Sequence, residues 1–356
     1  MRVIVTGSSG LIGSAAVRHY DALGDEVIGI DNDMRATFFG PQGSTLWNQK
    51  RLEGETSNFR TVAIDIRDRE AILKLFQDSP PEMVIHCAAQ PSHDRAAAIP
   101  FLDFEVNAVG TLNLLEATRQ LAPKAVFCHM STNKVYGDAP NELPLVELDR
   151  RWEYAREEDF NGINEQCRID QTMHSLFGAS KTAADVVAQE YGRYFGMSVG
   201  VFRGGCLTGA SHSGVELHGF LSYLVHVAVT GKSYTIFGYK GKQVRDQIEC
   251  SDVVRAFEAF AKNPRPGEVY NIGGGRDNAA SVLECIDLIA DISGHQVKWT
   301  LGDDNRKGDH ICYISDLSKL LRDYPDWDIR ISLRDILSQM IAAEETRQST
   351  KPGVAT

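Results

Sequence analysis

The sequence predicts an α/β protein, a Rossmann-type doubly wound parallel sheet with a smaller α+β lobe behind it. Three observations predict it. A β-branched run, RVIVT at 2–6, leads straight into the glycine-rich turn TGSSGLIG. Short apolar strands then alternate with helical patterns as far as residue 203, as parallel βαβ units do. Past Gly204 the alternation loosens into mixed helices and short strands.

The elements follow in order. Residues 11–23 carry apolar residues at helical spacing, and EVIGI at 26–30 reads as a second strand. Residues 59–64 end in an apolar run, 68–77 read as a helix, and MVIHCA at 83–88 is a fourth strand. A long amphipathic helix is expected over 101–121, a fifth strand over 124–130, a helix over 177–195 and a strand over 198–203. Residues 138–173 are polar and show no period; a connection that long inside a compact domain is usually functional or wrongly assigned. In the lobe, helices are expected at 214–230, 251–262, 279–293 and 332–346, with strands near 233–237 and 268–272. The expected division is a sheet domain over 1–203 with returning segments at about 235–260, a lobe over 204–346, and a flexible tail over 347–356.

Composition narrows the function. The 356 residues are 43% hydrophobic and 24% charged, the balance of a soluble globule. A net charge of −11 argues against nucleic acid and anionic membranes as partners. No apolar run reaches the roughly 20 residues of a bilayer span. No basic leader precedes the first strand, so a cytoplasmic address is expected. The seven scattered cysteines include no C-x-x-C pair, and no tight histidine–carboxylate cluster occurs, so neither a disulfide framework nor a metal site is expected.

The turn places Gly7, Gly10 and Gly13 in a G-x-x-G-x-x-G spacing between a strand and a helix. The first glycine permits the tight turn, the second lets backbone approach a pyrophosphate, and the third lets the helix pack on the strand. Free N–H groups at the helix start favour the anion. Asp31 ends the second strand, where a carboxylate can bind a ribose 2′-hydroxyl. Asn32 and Asp33 follow rather than arginine, so a 2′-phosphate would be repelled and NAD is expected over NADP.

TGSSGLIG, Asp65-Ile66, HCAAQ at 86–90, Asn107, STNKVYGD at 131–138, Lys181 and FRGG at 202–205 together resemble an extended short-chain dehydrogenase/reductase. The resemblance covers nearly the whole chain. GKQVRD at 241–246 and R-K-G-D at 306–309 are similar to the nucleotide-sugar branch of epimerases and dehydratases. STNKVYGD, FNGINE at 160–165 and GTLNLLEATRQ at 110–120 are similar to members that epimerise at C2 rather than C4. The resemblance implies NAD held by Gly7, Gly10, Ile12, Gly13, Asp31, Asn32, Asp65, Ile66, Ala88, Gln90, Asn107 and Lys181. It implies a nucleoside-diphosphate sugar between the lobes, near Asn133, Lys134, Gly205, Arg245 and Arg306, with Asp309 orienting Arg306. It implies oxidation of a sugar carbon to a transient ketone and return of the hydride to the opposite face. It also implies a homodimer formed through helices at about 103–121 and 177–195. Dehydratase relatives place acidic residues straight after the Ser-Thr pair; Asn133 and Lys134 stand there instead.

One position departs from the family. Its catalytic motif is Y-x-x-x-K, and here HSLFGASK puts Phe177 four residues before Lys181. Positions i and i+4 share a helix face, so the lysine lies beside the ring. Phenylalanine keeps the shape but has no proton to exchange. Three readings stay open: an introduced substitution, a native residue with another base, or a binder without turnover. For a replacement base, His93 and Asp94 follow the fourth strand at its carboxyl end, where ligands lie in open α/β sheets. Thr132 ends the fifth strand and should face the reacting hydroxyl. Tyr136, His174 and Cys206 are weaker candidates. His212 and His218, six apart, do not share a helical metal face.

Overall fold

In the computed structural model, which describes residues 1–210, 219–302 and 309–349, seven parallel strands form the central sheet. They are β1 (Arg2–Thr6), β2 (Glu26–Ile30), β3 (Phe59–Val62), β4 (Met83–His86), β5 (Val126–Thr132), β6 (Val199–Gly204) and β7 (Glu268–Ile272), in the spatial order β7-β6-β5-β4-β1-β2-β3. Chain order reverses between β1 and β4, and ligand crevices open at such a point, beyond the carboxyl ends of the strands. Val3, Ile4 and Val5 are wholly buried, because helices cover both faces of the sheet. Burying one such aliphatic side chain contributes about 1.5–3 kcal/mol.

The helices that position the crevice are α1 (Leu11–Ala22), α2 (Arg69–Asp78), α3 (Gly110–Leu121), α4 (Leu176–Phe195) and α5 (Cys250–Lys262). Asp68 caps α2 by accepting from Ala71 N–H at 3.0 Å, and Ser175 caps α4 by accepting from Gly178 N–H at 3.1 Å. The long helix expected over 101–121 is interrupted. Pro100–Phe104 and α3 are joined by a π-type turn, Glu105–Val109, where Asn107 bonds Gln90, Asp103 and Ser180 instead of letting the α pattern run through. Two further short helices, Met34–Phe39 and Leu46–Glu55, occupy a stretch with no clear sequence signal.

The returning segment starts and ends later than the expected 235–260; it starts later because Ser233–Ile236 and Val244–Glu249 pair with other lobe strands. α5 packs on α1, and Glu268–Ile272 pairs with β6 as the seventh sheet strand rather than as part of the lobe. Its register puts Val269, Tyr270 and Ile272 into the sheet-domain core. The lobe is built on Val244–Glu249, which pairs with Cys206–Thr208, Ala279–Ser281 and Cys312–Tyr313. The helix expected from 214 is described from Phe220 to Thr230, and 214–218 lie outside the described residues. The last helix, Leu333–Ser349, extends into the expected tail, whose residues 350–356 also lie outside them.

The polar stretch 138–173 is a stitch between the two parts. Its strands Leu145–Glu147 and Trp152–Tyr154 pair with each other. Asn271, on β7, donates to Ile163 C=O at 2.8 Å, while its N–H donates to Glu165 at 2.7 Å. The stretch lacks a period because it is a succession of short turns and one small hairpin, tied to the lobe where Trp152 N–H donates to Lys242 C=O and Ile163 N–H to Ile314 C=O.

Candidate functional site

One cavity of about 510 Å³ runs along the carboxyl end of the sheet and into the lobe. At one end it is walled by the turn after β1. Gly7 has φ +64°, and a Cβ there would stand 2.9 Å from Ala88 N; a Cβ on Gly13 would stand 2.1 Å from Gly7 O. Only glycine fits either place. No side chain caps α1, so its first N–H groups are left for an anion in the cavity. The Asp31 carboxylate is fixed by Ser9 N–H and Asp33 N–H, each at 2.9 Å. Ile12, Asn32, Asp65, Ile66 and Ala88 complete this end. Arg67 forks onto Asp65 and holds its carboxyl below the usual range. The glycine cradle, the uncapped helix start and the tethered Asp31 carboxylate fit a dinucleotide.

Gln90 and Asn107, expected at the cofactor, stand one layer behind the cavity wall. The Gln90 N–H donates to Asn107 Oδ1 at 2.9 Å, and the Gln90 amide donates to Asp103 at 2.7 Å. Their polar groups are used on each other, and Asp103 passes the restraint to α4 through Ser180, 2.6 Å away.

The middle of the cavity holds Thr132, Phe177, Lys181, His93 and Asp94. Lys181 is 4% exposed and donates to Met130 C=O at 3.0 Å. Burial pushes its ammonium down to about 8, against the pull of Asp185, Cys87 and Asp103. Phe177 is buried on the turn before it, and the His93 ring packs against the Phe177 ring with centroids 5.0 Å apart. Ser92 caps the short helix that begins at His93, and Asp94 is exposed beside it. The Thr132 hydroxyl accepts from Lys134 N–H at 3.3 Å.

Two of the three weaker candidates have other partners. Tyr136 is wholly buried; its hydroxyl donates to Asn271 at 2.7 Å and accepts from Arg203 at 3.2 Å. His174 meets the Lys134 and Ile169 carbonyls. Cys206 lines the cavity, with its thiol pushed up to about 11 by burial.

The lobe end contains Asn133, Lys134, Gly205 and Arg245. Arg306, His212 and His218 lie outside the described residues. Whether Asp309 orients Arg306 lies outside the described residues; among them, Asp309 takes Arg245 at 2.6 Å and Lys134 at 3.3 Å. These two cations hold its carboxyl far below the usual range, against burial. Sequence reasoning missed the cavity residues Arg35, Tyr234 and Phe237. The aromatic run SYTIFGY at 233–239 was the available signal for the last two.

The comparisons with known proteins agree with this geometry. A model of the NAD dependent epimerase/dehydratase family matches residues 3–273. CDP-paratose 2-epimerase of Salmonella typhi is 30% identical over 347 residues, covering 96% of this chain and 98% of that protein. dTDP-glucose 4,6-dehydratase 1 of Escherichia coli (strain K12) is 30% identical over 309 residues, covering 82% and 78%. Among solved structures, a UDP-glucose 4-epimerase of Thermotoga maritima with UDP-glucose superposes with a TM-score of 0.77 at 26% identity, covering 99% of this chain and 100% of that one. A Tyr-to-Phe mutant of UDP-glucuronic acid 4-epimerase from Bacillus cereus, in complex with UDP-4-deoxy-4-fluoro-glucuronic acid and NAD, gives 0.77 at 25% identity, covering 98% and 100%.

Proposed function

The chain belongs to the NAD-dependent epimerase/dehydratase family, and on that footing we propose that it epimerises a nucleoside-diphosphate sugar through a transient ketone, at C2 as in CDP-paratose 2-epimerase. The observation that supports this most is the single cavity, which joins the glycine cradle and Asp31 to Lys181 and His93 and then to Arg245 of the lobe. NAD, when bound, supplies an acceptor and donor of hydride. Gly7, Gly10, Ile12 and Gly13 would lie against its phosphates, Asp31 would accept from the adenosine ribose, and Lys181 would donate to the nicotinamide ribose. Asn32, Asp65, Ile66 and Ala88 enclose the adenosine side, and Gln90 and Asn107 support the wall.

Thr132 donates to the reacting hydroxyl and orients it. The proton passes to the imidazole of His93, whose ring covers Phe177 where the family has its phenol; Asp94 stabilises the imidazolium. Asn133, Lys134, Gly205, Arg245 and Arg306 receive the sugar and diphosphate, arginine because its planar fork pairs with phosphate oxygens. Asn133 and Lys134 offer no carboxylate to take a C5 proton, which favours epimerisation over dehydration.

The protein works as a homodimer in the cytoplasm. Phe101 and Tyr194 are 86% and 80% exposed on the outer surfaces of the helical segments that would meet, and a second copy would cover them. No helix among the described residues is long and apolar enough to cross a membrane.

The test is a panel of nucleotide sugars followed by NMR in deuterated water. Hydride return yields an epimer with no carbon-bound deuterium from solvent; dehydration incorporates it. A second reading, an NAD-binding protein without turnover, is favoured by the missing hydroxyl of Phe177. It predicts bound NAD, no product from any sugar, and product only after Phe177→Tyr.

A further inference from the structure

A buried guanidinium and a half-buried ammonium from different parts of the chain meet at one carboxylate oxygen in the cavity. Lys134 follows β5, and Arg245 lies on the lobe strand Val244–Glu249. Asp309 Oδ1 accepts from Arg245 at 2.6 Å, from Lys134 at 3.3 Å and from His310 N–H at 3.1 Å. An ammonium, a guanidinium and a backbone N–H around one oxygen make a donor set suited to a phosphate oxygen. The side chains of Lys134 and Arg245 are 15% and 10% exposed, while that of Asp309 is 29% exposed. The carboxylate is therefore the most open of the three, and the cations stand behind it.

The Asp309 backbone is pinned. Its carbonyl accepts from Asn141 at 3.1 Å, and His310 bonds Gly137 C=O at 2.8 Å. A rotation about the Asp309 side chain can therefore withdraw the carboxylate without moving the chain. The group of two cations and one carboxylate carries a net positive charge, so a dianionic group entering the cavity is drawn to it.

We propose that Asp309 is a placeholder for the substrate's diphosphate: its carboxylate holds Lys134 and Arg245 in place in the empty enzyme and is displaced from them when a diphosphate binds. This rests on the reading of the substrate as a nucleoside-diphosphate sugar, and it assigns Lys134 to the diphosphate, beside Arg245, rather than to the sugar. The placeholder keeps two like charges together before substrate arrives. It also weakens binding, because the diphosphate must compete with a carboxylate already in position.

The experiment is calorimetric titration of the NAD-loaded protein with inorganic pyrophosphate, for the wild type, Asp309→Asn, Asp309→Ala, Lys134→Met and Arg245→Met. Thermal unfolding confirms that each variant is folded. Both Asp309 variants should bind pyrophosphate tighter, by roughly tenfold for a like charge removed from a partly screened site. Lys134→Met and Arg245→Met should each bind it more weakly by a similar factor. If the cation variants weaken binding while both Asp309 variants weaken it too or leave it unchanged, Asp309 only orients the cations and the placeholder is wrong. If Arg245→Met and Lys134→Met leave binding unchanged, the anion site lies elsewhere, and the diphosphate reading falls along with the placeholder.

Discussion

The two ends of the cavity are built by different means. The cofactor end is mostly backbone: a turn that only glycine permits, a helix start, and one carboxylate held by two N–H groups. The catalytic and lobe end is mostly side chains carried in from far apart, with Lys134 meeting Asp309 across 175 positions of sequence. A backbone site is set by local conformational rules and resists change. A side-chain site depends on long-range packing, and one substitution can move its chemistry to another residue.

That contrast can be broken most severely at His93. His93→Gln should lower kcat by a factor of roughly 10²–10⁴, the loss expected for a positioned acid/base, and leave NAD affinity unchanged. Steady-state kinetics beside NAD titration checks it. A variant that keeps its turnover removes His93 from the mechanism.

The next largest effect is on stability. Lys181 is buried with its proton-binding strength reduced to about 8, while an unfolded lysine titrates near 10.4. Below pH 8 the charged amine is held at a loss. Between about 8 and 10.4 the unfolded chain binds more protons, so stability rises with pH across that window and then levels. Lys181→Met should therefore stabilise the cofactor-free protein at pH 7 by up to roughly 3 kcal/mol, with the gain vanishing toward pH 10.4, while turnover is lost. Denaturant unfolding at several pH values measures it, and a pH-independent difference would contradict the assignment.

Asp31→Ala tests the other end. Loss of a charge-assisted contact to the ribose should weaken NAD binding by about 1.5–3 kcal/mol and leave pyrophosphate binding at the lobe unchanged. Equal weakening of both ligands would mean that the two ends are not separate. The smallest effect on chemistry should come from Tyr194→Lys combined with Phe101→Lys. Sedimentation should show a shift toward monomer, with turnover per chain nearly retained.

The same contrast explains what could be read from sequence. β1, α1 and β2 are visible at once, because RVIVT, the spaced glycines and Asp31 are consecutive and each has a local reason. The helix over 176–195 is also visible from its period. EVYNI by itself reads as a lobe strand, because nothing within it states that it pairs with β6. Asn107 was found by position, yet its polar atoms face Gln90 and Ser180 rather than the cavity, which only the π-type turn explains. Phe177 announced a missing hydroxyl. That the His93 ring lies against it could not be read from two segments 84 positions apart.

On the proposed function, His93 has taken over the proton transfer that the family's tyrosine performs. The most direct measurement is turnover of an accepted nucleotide sugar by four proteins: the wild type, Phe177→Tyr, His93→Gln, and the two changes together. Turnover is expected in the wild type, with little change on Phe177→Tyr and near-complete loss on His93→Gln. Activity that appears only when tyrosine stands at 177, whether or not His93 is present, would contradict it.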